Sequence, residues 1–378
     1  MPYSTFRPAR LVACCILAVA VVSGCGKTAP PVAEIPLPTD EQLRERLDRA
    51  VEYTYANRHL NTKDQAAWQV VHGALVFGRD FQIYNDDKLV KAIDYLLAGG
   101  QLRGWNMRPG DHGLEAILEA GSNTGQGHED QWMGYLSQCG ITMDDSLVVG
   151  GQTFKVRDLV TQAQWDIYDG MEATWTLMAF STYLPLDTEW TAKDGTRWTI
   201  ERMVGMEAGQ DLETSACGGT HRMYALAIAL NRYLAAGGKV DDDGDGAWDK
   251  CQRKIDDAVT TIRENQQPDG SFSTNYFSRP GTSPEISKRI SATGHALEFL
   301  MVVLDDDELR EPWVERAVVN LVDSFEKTQK FDLECGALYH ATRSLDLYRT
   351  RRFGPRPPLV PSESPQPAAT EATANKST

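Results

Sequence analysis

The feature that most restricts how this chain can fold is an alternation of two kinds of helical segment along 378 residues. One kind carries an apolar stripe and a broad charged face: Asp40–Asn57, Asp86–Leu97, Val156–Ile167, Arg197–Ala208, Trp248–Gln266 and Glu311–Thr328. The other is small and apolar nearly all round: Thr62–Gly78, His128–Gly140, Gly170–Leu184, Ala216–Ala235, Ser291–Leu304 and Cys335–Tyr348. A helix of the first kind belongs at a surface and one of the second kind inside. Alternating β-branched runs are scarce, so helical periodicity dominates. Six segments of each kind in strict alternation predict an all-α domain, an (α/α)6 toroid: a closed ring of six helical hairpins of about 50 residues each, stabilised by stacking. Such closure would bring the inner helices to one cavity.

Two short motifs support the same fold. Gln266-Gln267-Pro268-Asp269-Gly270-Ser271-Phe272 resembles the Gln-x-x-x-Gly-x-Trp repeat of squalene cyclases, with Phe for Trp, and Leu338-Tyr339-His340-Ala341-Thr342 is similar to the late Tyr-His-Thr helix of protein prenyltransferase β subunits. Both families are α/α toroids, and the resemblance spans residues 266–350. It would imply a terpenoid cyclase or prenyltransferase-like enzyme. The cyclase acid motif Asp-x-Asp-Asp has only Met143-Asp144-Asp145 and Leu304-Asp305-Asp306-Asp307-Glu308 as approximations. For the prenyltransferase zinc set, His340 has a counterpart, but Asp269-Gly270-Ser271 puts Ser where a thiolate is wanted. That activity is therefore an alternative and not the first expectation.

At the N-terminus Arg7 and Arg10 precede an apolar stretch, Leu11–Val22, too short to span a bilayer. It leads into Val22-Ser23-Gly24-Cys25, which resembles the lipobox of bacterial lipoproteins. The resemblance implies a signal peptide over 1–24, a lipidated Cys25 and a membrane-anchored chain in the bacterial cell envelope, facing the periplasm or exterior; Gly26 is not the family's inner-membrane retention residue. Residues 25–39 read as a Pro-rich spacer, 40–353 as the folded domain, and 354–378 as a disordered Pro/Ser/Ala/Thr tail that cannot bury enough apolar surface to order itself. A net charge of −15 argues against nucleic acid as a partner. In an oxidising compartment Cys139, Cys217, Cys251 and Cys335 allow three pairings. Cys217 and Cys335 stand at matching starts of inner helices, so a Cys217–Cys335 bond is the one preferred, with free buried thiols as the other reading.

Five of the seven histidines fall at corresponding places near the starts of inner helices: His72, His128, His221, His295 and His340. The third inner helix has Glu172 and Trp175 there instead. Closure of the ring would gather these side chains at one mouth, with Glu129, Asp130, Asp169, Glu172 and Glu334 around them. Imidazole beside carboxylate makes an acid–base pair near neutral pH. It also suits Zn or Fe, although no His-x-x-x-His or Glu-x-x-His spacing places two ligands on one helix face. Trp68, Trp132, Trp175, Tyr224 and Tyr339, with His72, are candidate substrate-binding residues, since aromatic planes stack on sugar rings, though they also fill cores.

Separately, Asp241-Asp242-Asp243-Gly244-Asp245-Gly246, with Asp249, resembles the start of a calcium loop, with Gln252 where a bidentate Glu is expected. Asp241, Asp243, Asp245 and Asp249 thus make a candidate structural calcium site, and an acidic turn capping the next helix is the competing reading. The resulting expectation is an envelope-anchored toroid. It would act as an enzyme on a polar, carbohydrate-like substrate through His128, Glu129, Asp130, Glu172, His221, His295 and His340, or bind a small molecule, glycan or partner without catalysis.

Overall fold

The computed structural model describes residues 37–359, so the signal segment, Cys25 and most of the spacer and tail lie outside the described residues. Among the described residues twelve α-helices follow in order: α1 (Asp40–Asn57), α2 (Ala67–Phe77), α3 (Ala92–Leu97), α4 (Gln131–Gln138), α5 (Val156–Asp166), α6 (Thr174–Tyr183), α7 (Ile200–Ala208), α8 (Thr220–Ala235), α9 (Ala247–Glu264), α10 (Ile286–Val303), α11 (Pro312–Thr328) and α12 (Cys335–Phe353). Each segment expected from the sequence overlaps one of them, and α9, α10 and α12 run beyond the expected bounds. No helix among the described residues is long and apolar enough to cross a membrane.

Local chemistry explains several boundaries. Thr39 Oγ1 accepts from the Gln42 amide and Gln42 Oε1 accepts from the Thr39 amide, a reciprocal cap that starts α1 with Asp40 and Glu41 in its first turn. Pro312 opens α11, where its missing N–H costs nothing. The Glu334 carboxylate accepts from the amides of Gly336 and Ala337 and so starts α12.

The expectation of a strand-free domain is corrected. Four antiparallel hairpins interrupt the helices: β1 (Gln82–Asn85) with β2 (Lys88–Lys91), β3 (Met107–Pro109) with β4 (Leu114–Ala116), β5 (Ser146–Val149) with β6 (Gln152–Lys155), and β7 (Glu189–Thr191) with β8 (Arg197–Thr199). They shorten the expected helices. β2 takes what was read as the front of the second outer helix, turning at Asp86 with φ 51°. Likewise β8 ends at Thr199, whose hydroxyl caps α7 by accepting from the Arg202 amide.

Burial follows the alternation. In α1 the buried side chains are Leu43, Leu47, Ala50, Val51 and Thr54, one stripe, whereas α4 buries every residue from Gln131 to Ser137. Each fully buried leucine in such a stripe contributes about 1.5–3 kcal/mol. The even-numbered helices pack on one another in succession, α2 on α4, α4 on α6, α6 on α8, α8 on α10 and α10 on α12, and α12 packs back on α2. Odd-numbered helices lie against them: α3 on α2, α5 on α4 and α6, α7 and α9 on α8, α11 on α10, and α1 on α11 and α12. At this last junction Arg349 grips Asp48 with two hydrogen bonds of 2.7 and 3.1 Å.

The pair α10 and α12 makes the most extensive helix contact, and Gly294 permits it: a Cβ there would lie 2.6 Å from the Ala341 Cα. Between α7 and α8 the fully buried Glu207 accepts from Arg222 Nε at 2.9 Å, from the Ala173 amide at 3.0 Å and from Thr174 Oγ1 at 2.8 Å. Arg222 in turn donates to the Asp211 carbonyl and to Ser215 Oγ, fixing the loop ahead of α8.

Candidate functional site

All five histidines singled out from the sequence line one cavity of about 130 Å³, together with Trp68, Trp175, Cys217 and Glu334. They reach it from different heights, not all from helix starts as expected. His221 is the second residue of α8, His128 precedes α4 by three residues, and His295 lies well inside α10, because that helix begins five residues earlier than the sequence suggested. Four of the imidazoles touch. Ring centroids lie 4.0 Å apart for His295 and His340, 5.0 Å for His221 and His340, 5.1 Å for His72 and His340, and 5.2 Å for His221 and His295. The other two histidines stack elsewhere, His59 near Tyr84 and His112 on Trp165.

Their hydrogen bonds orient the rings. His72 Nδ1 donates to the Trp68 carbonyl at 2.5 Å and His295 Nδ1 to the Ser291 carbonyl at 2.8 Å. A carbonyl only accepts, so the proton sits on Nδ1 and Nε2 carries the lone pair. His340 Nδ1 meets the Glu298 carboxylate at 2.6 Å, and that carboxylate also pairs with Arg343 Nε at 2.9 Å. The Nε2 atoms of His295 and His340 are buried without a hydrogen-bond partner. Burial pushes His72 down to about 3 and lowers His295; it also carries His340 well below the usual imidazole range, where His295, His221, His72 and Arg343 depress it further. These rings are neutral at pH 7.

His128 is different. Its Nδ1 lies 2.8 Å from Glu172 Oε2 at the partly exposed edge of the cavity, and its ring stacks on Trp175 with centroids 4.3 Å apart. Burial pushes the Glu172 carboxyl up, but the hydrogen bond and charge of His128, with Arg222 and His221, outweigh it and hold it below the usual range.

The expectation that Glu129 and Asp130 join the histidine ring is corrected. The turn at 128–130 sends His128 to one side and these two carboxyls to the other, into a separate cavity of about 650 Å³ shared with Asp111, Glu115, Asp166, Arg108 and Lys193. Asp130 starts α4 in the left-handed region, φ 55°, and accepts from Thr176 Oγ1 at 2.6 Å. Burial raises Glu129 and pushes Asp130 up to about 7. Asp169 is also elsewhere, paired with Arg202 at the surface.

Of the candidate stacking residues, Trp68, Trp175 and His72 line the histidine cavity. The rest are core. Trp132 is fully buried against Trp105, Tyr339 packs among Phe77 and Phe81, and the Tyr224 hydroxyl accepts from Arg343 Nη2 at 2.9 Å. The expected Cys217–Cys335 bond is not formed, and Cys139, Cys217, Cys251 and Cys335 are all free. Cys217 is exposed and lines the cavity, whereas Cys335 is buried beside Arg58.

Among the described residues one set of three or more His, Cys, Asp or Glu has donor atoms close enough for a metal ion: Cys217, His221 and His295, within 4.8 Å of one another. The acidic segment at 241–249 is arranged as a helix cap. Asp249 accepts from the amides of Asp241 and Gly246, Asp241 accepts from the Asp243 amide, and Asp245 reaches no closer than 3.9 Å to Lys250. Sequence reasoning missed Glu298, which fixes the deepest histidine, and Cys217 as a cavity residue. No family model matches the chain, and none of the curated proteins matches it.

Proposed function

We propose that this chain is an (α/α)6 toroid, tethered to the bacterial envelope through Cys25, that performs acid–base chemistry on a small polar or carbohydrate-like group admitted to the histidine cavity. The ring closure is supported by the unbroken succession of contacts from α2 to α12 and back. The function rests on one observation, the convergence of His72, His128, His221, His295 and His340 on one cavity, with the His128–Glu172 dyad at its accessible edge.

In this reading Glu172 fixes the tautomer and orientation of His128 and stabilises the imidazolium, so that Nε2 of His128 takes a proton from the substrate or an attacking water and returns it to the leaving group. Trp68, half-buried at the cavity, is a wall against which a ring can lie, whereas Trp175 is fully buried and serves as the platform on which His128 stacks. Ligand pockets usually hold about 300–1,000 Å³, so a cavity of about 130 Å³ takes one end of a substrate whose remainder stays outside. A terpenoid or prenyl chain would want a wide apolar chamber, which gives that alternative little support.

The test is a turnover screen on glycans, glycosides and esters, with His128→Ala and Glu172→Gln as variants. Both are expected to lower kcat by about 10²–10⁴-fold with the melting temperature unchanged. If no substrate turns over while a glycan raises the melting temperature, the non-catalytic binding reading replaces this one. Membrane fractionation of a Cys25→Ser variant tests the anchor, and a variant that stays with the membrane would refute it.

A further inference from the structure

The buried half of the histidine cavity has more donors than the acid–base reading uses. His295 and His340 each present a buried Nε2 that no protein group satisfies, while their Nδ1 atoms are held by the Ser291 carbonyl and by Glu298. Leaving a buried polar atom unpaired costs free energy, and here two face the same small space. Metal-ligating histidines show this pattern: the outer nitrogen is pinned to a carbonyl or carboxylate, which fixes the tautomer, and the inner lone pair is left free for the ion.

Cys217 adds a third type of observation. It occupies the left-handed region, φ 47° and ψ 45°, in the turn Ala216–Gly219, and is followed by Gly218 at φ 61°. A Cβ on Gly218 would lie 2.3 Å from the ring of Tyr276, so the turn is pressed from outside as well. A non-glycine residue held in this region is strained and persists only when its surroundings hold it there. The Glu207–Arg222 pair supplies that hold, since Arg222 fixes Asp211 and Ser215 just before the turn. The result places the thiol on the exposed lip of the cavity, four residues before His221.

We propose that Cys217, His221 and His295 bind a transition-metal ion, with His340 as the fourth donor, in a thiolate–imidazole site whose chemistry suits Zn²⁺. The three donor atoms lie within 4.8 Å of one another. In a tetrahedral zinc site the edges are about 3.3–3.7 Å, so side-chain rotation closes the set on an ion. Thiolate and imidazole together favour Zn²⁺ over hard cations such as Ca²⁺ or Mg²⁺. The site differs from the one the prenyltransferase resemblance would imply: Asp269 is exposed and its carboxylate is taken by the amide and hydroxyl of Ser271, outside the cavity. It shares the cavity with the His128–Glu172 dyad but draws on different donors, and its test does not depend on turnover.

The experiment uses the full chain, stripped with a strong chelator and titrated with Co²⁺ and then Zn²⁺. One equivalent of Co²⁺ per chain is expected, with thiolate-to-metal charge-transfer absorption that Zn²⁺ abolishes by displacement, and Zn²⁺ is expected to raise the melting temperature. Cys217→Ser, at an exposed position, should remove the charge-transfer band and leave the metal-free melting temperature unchanged. Glu298→Gln should weaken Zn²⁺ binding about 10–100-fold while the band persists, because Glu298 orients a ligand and is not one. Less than one equivalent of Co²⁺, or a charge-transfer band that survives in Cys217→Ser, would overturn the assignment.

Discussion

The contact between α10 and α12 sets the spacing of the two deepest histidines, and Gly294→Ala tests it directly. The added Cβ would lie 2.6 Å from the Cα and 2.8 Å from both the Cβ and the amide nitrogen of Ala341, next in sequence to His340. Carbon atoms pack comfortably at about 3.5–4.0 Å, so the helices must part by about 1 Å. The obstacle is backbone and cannot rotate aside. Overpacking of this kind costs about 1–3 kcal/mol, and the upper end applies; replacing a helical glycine by alanine returns about 1 kcal/mol. The net loss is about 2 kcal/mol. For a folded unit of about 320 residues the unfolding entropy is about 0.7 kcal/mol/K, so calorimetry should show the melting temperature falling by about 3 °C. The 4.0 Å separation of the His295 and His340 rings should grow as well, weakening Co²⁺ binding in the same variant. A melting temperature that is unchanged or raised would refute the close-packing argument, since alanine would then have gained its helix propensity without a clash.

Removing Glu207 by Glu207→Ala strands the buried Arg222 guanidinium, and breaking such a pair costs about 3–5 kcal/mol, a fall of about 4–7 °C in calorimetry; a drop under 1 °C would show that the pair does not anchor α8. Asp130 gives a pH signature. Its folded value is pushed up to about 7 against about 3.9 in an unfolded chain, so between those values the folded state holds a proton the unfolded state has lost, and stability falls as pH rises. Asp130→Asn should lack that slope, gaining on the parent by up to about 1.4 kcal/mol per pH unit from pH 4 to 7; parallel stability curves would contradict it. For the segment at 241–249, a calcium chelator should leave the melting temperature unchanged, because Asp249 and Asp241 already serve backbone amides; a clear drop would restore the calcium reading.

The helices were legible because amphipathic and all-apolar segments differ in composition, and burial is what that composition responds to. Boundaries were less so. Gly150-Gly151 and Asp194-Gly195 are turn pairs between short β-forming runs, and their hairpin signal was outweighed by the helical periodicity on either side. The histidines were legible as a set on the inner helices, though not their different heights along them, and which way a side chain points from the turn at 128–130 depends on the left-handed backbone at Asp130, which no residue pattern announces. Trp132 and Tyr339 look the same in sequence whether they stack on a ligand or fill a core. Two spacings did carry a readable signal. Cys217-x-x-x-His221 puts a thiol and an imidazole four residues apart, and His295-x-x-Glu298 puts an imidazole and a carboxylate on one helix face.

Because α1 packs on α11 and α12, one flank of α2 packs on α12, and Arg349 reaches Asp48, the earliest helices complete their packing only when the last one is made. A chain emerging N-terminus first therefore cannot settle piece by piece, since its opening hairpin keeps an oily flank bare until some three hundred residues have followed. Contacts so distant in sequence make assembly slow. A fragment ending before residue 335 should remain a loose, protease-sensitive coil, and a nascent chain of this kind stays pliable for as long as its final segment is withheld.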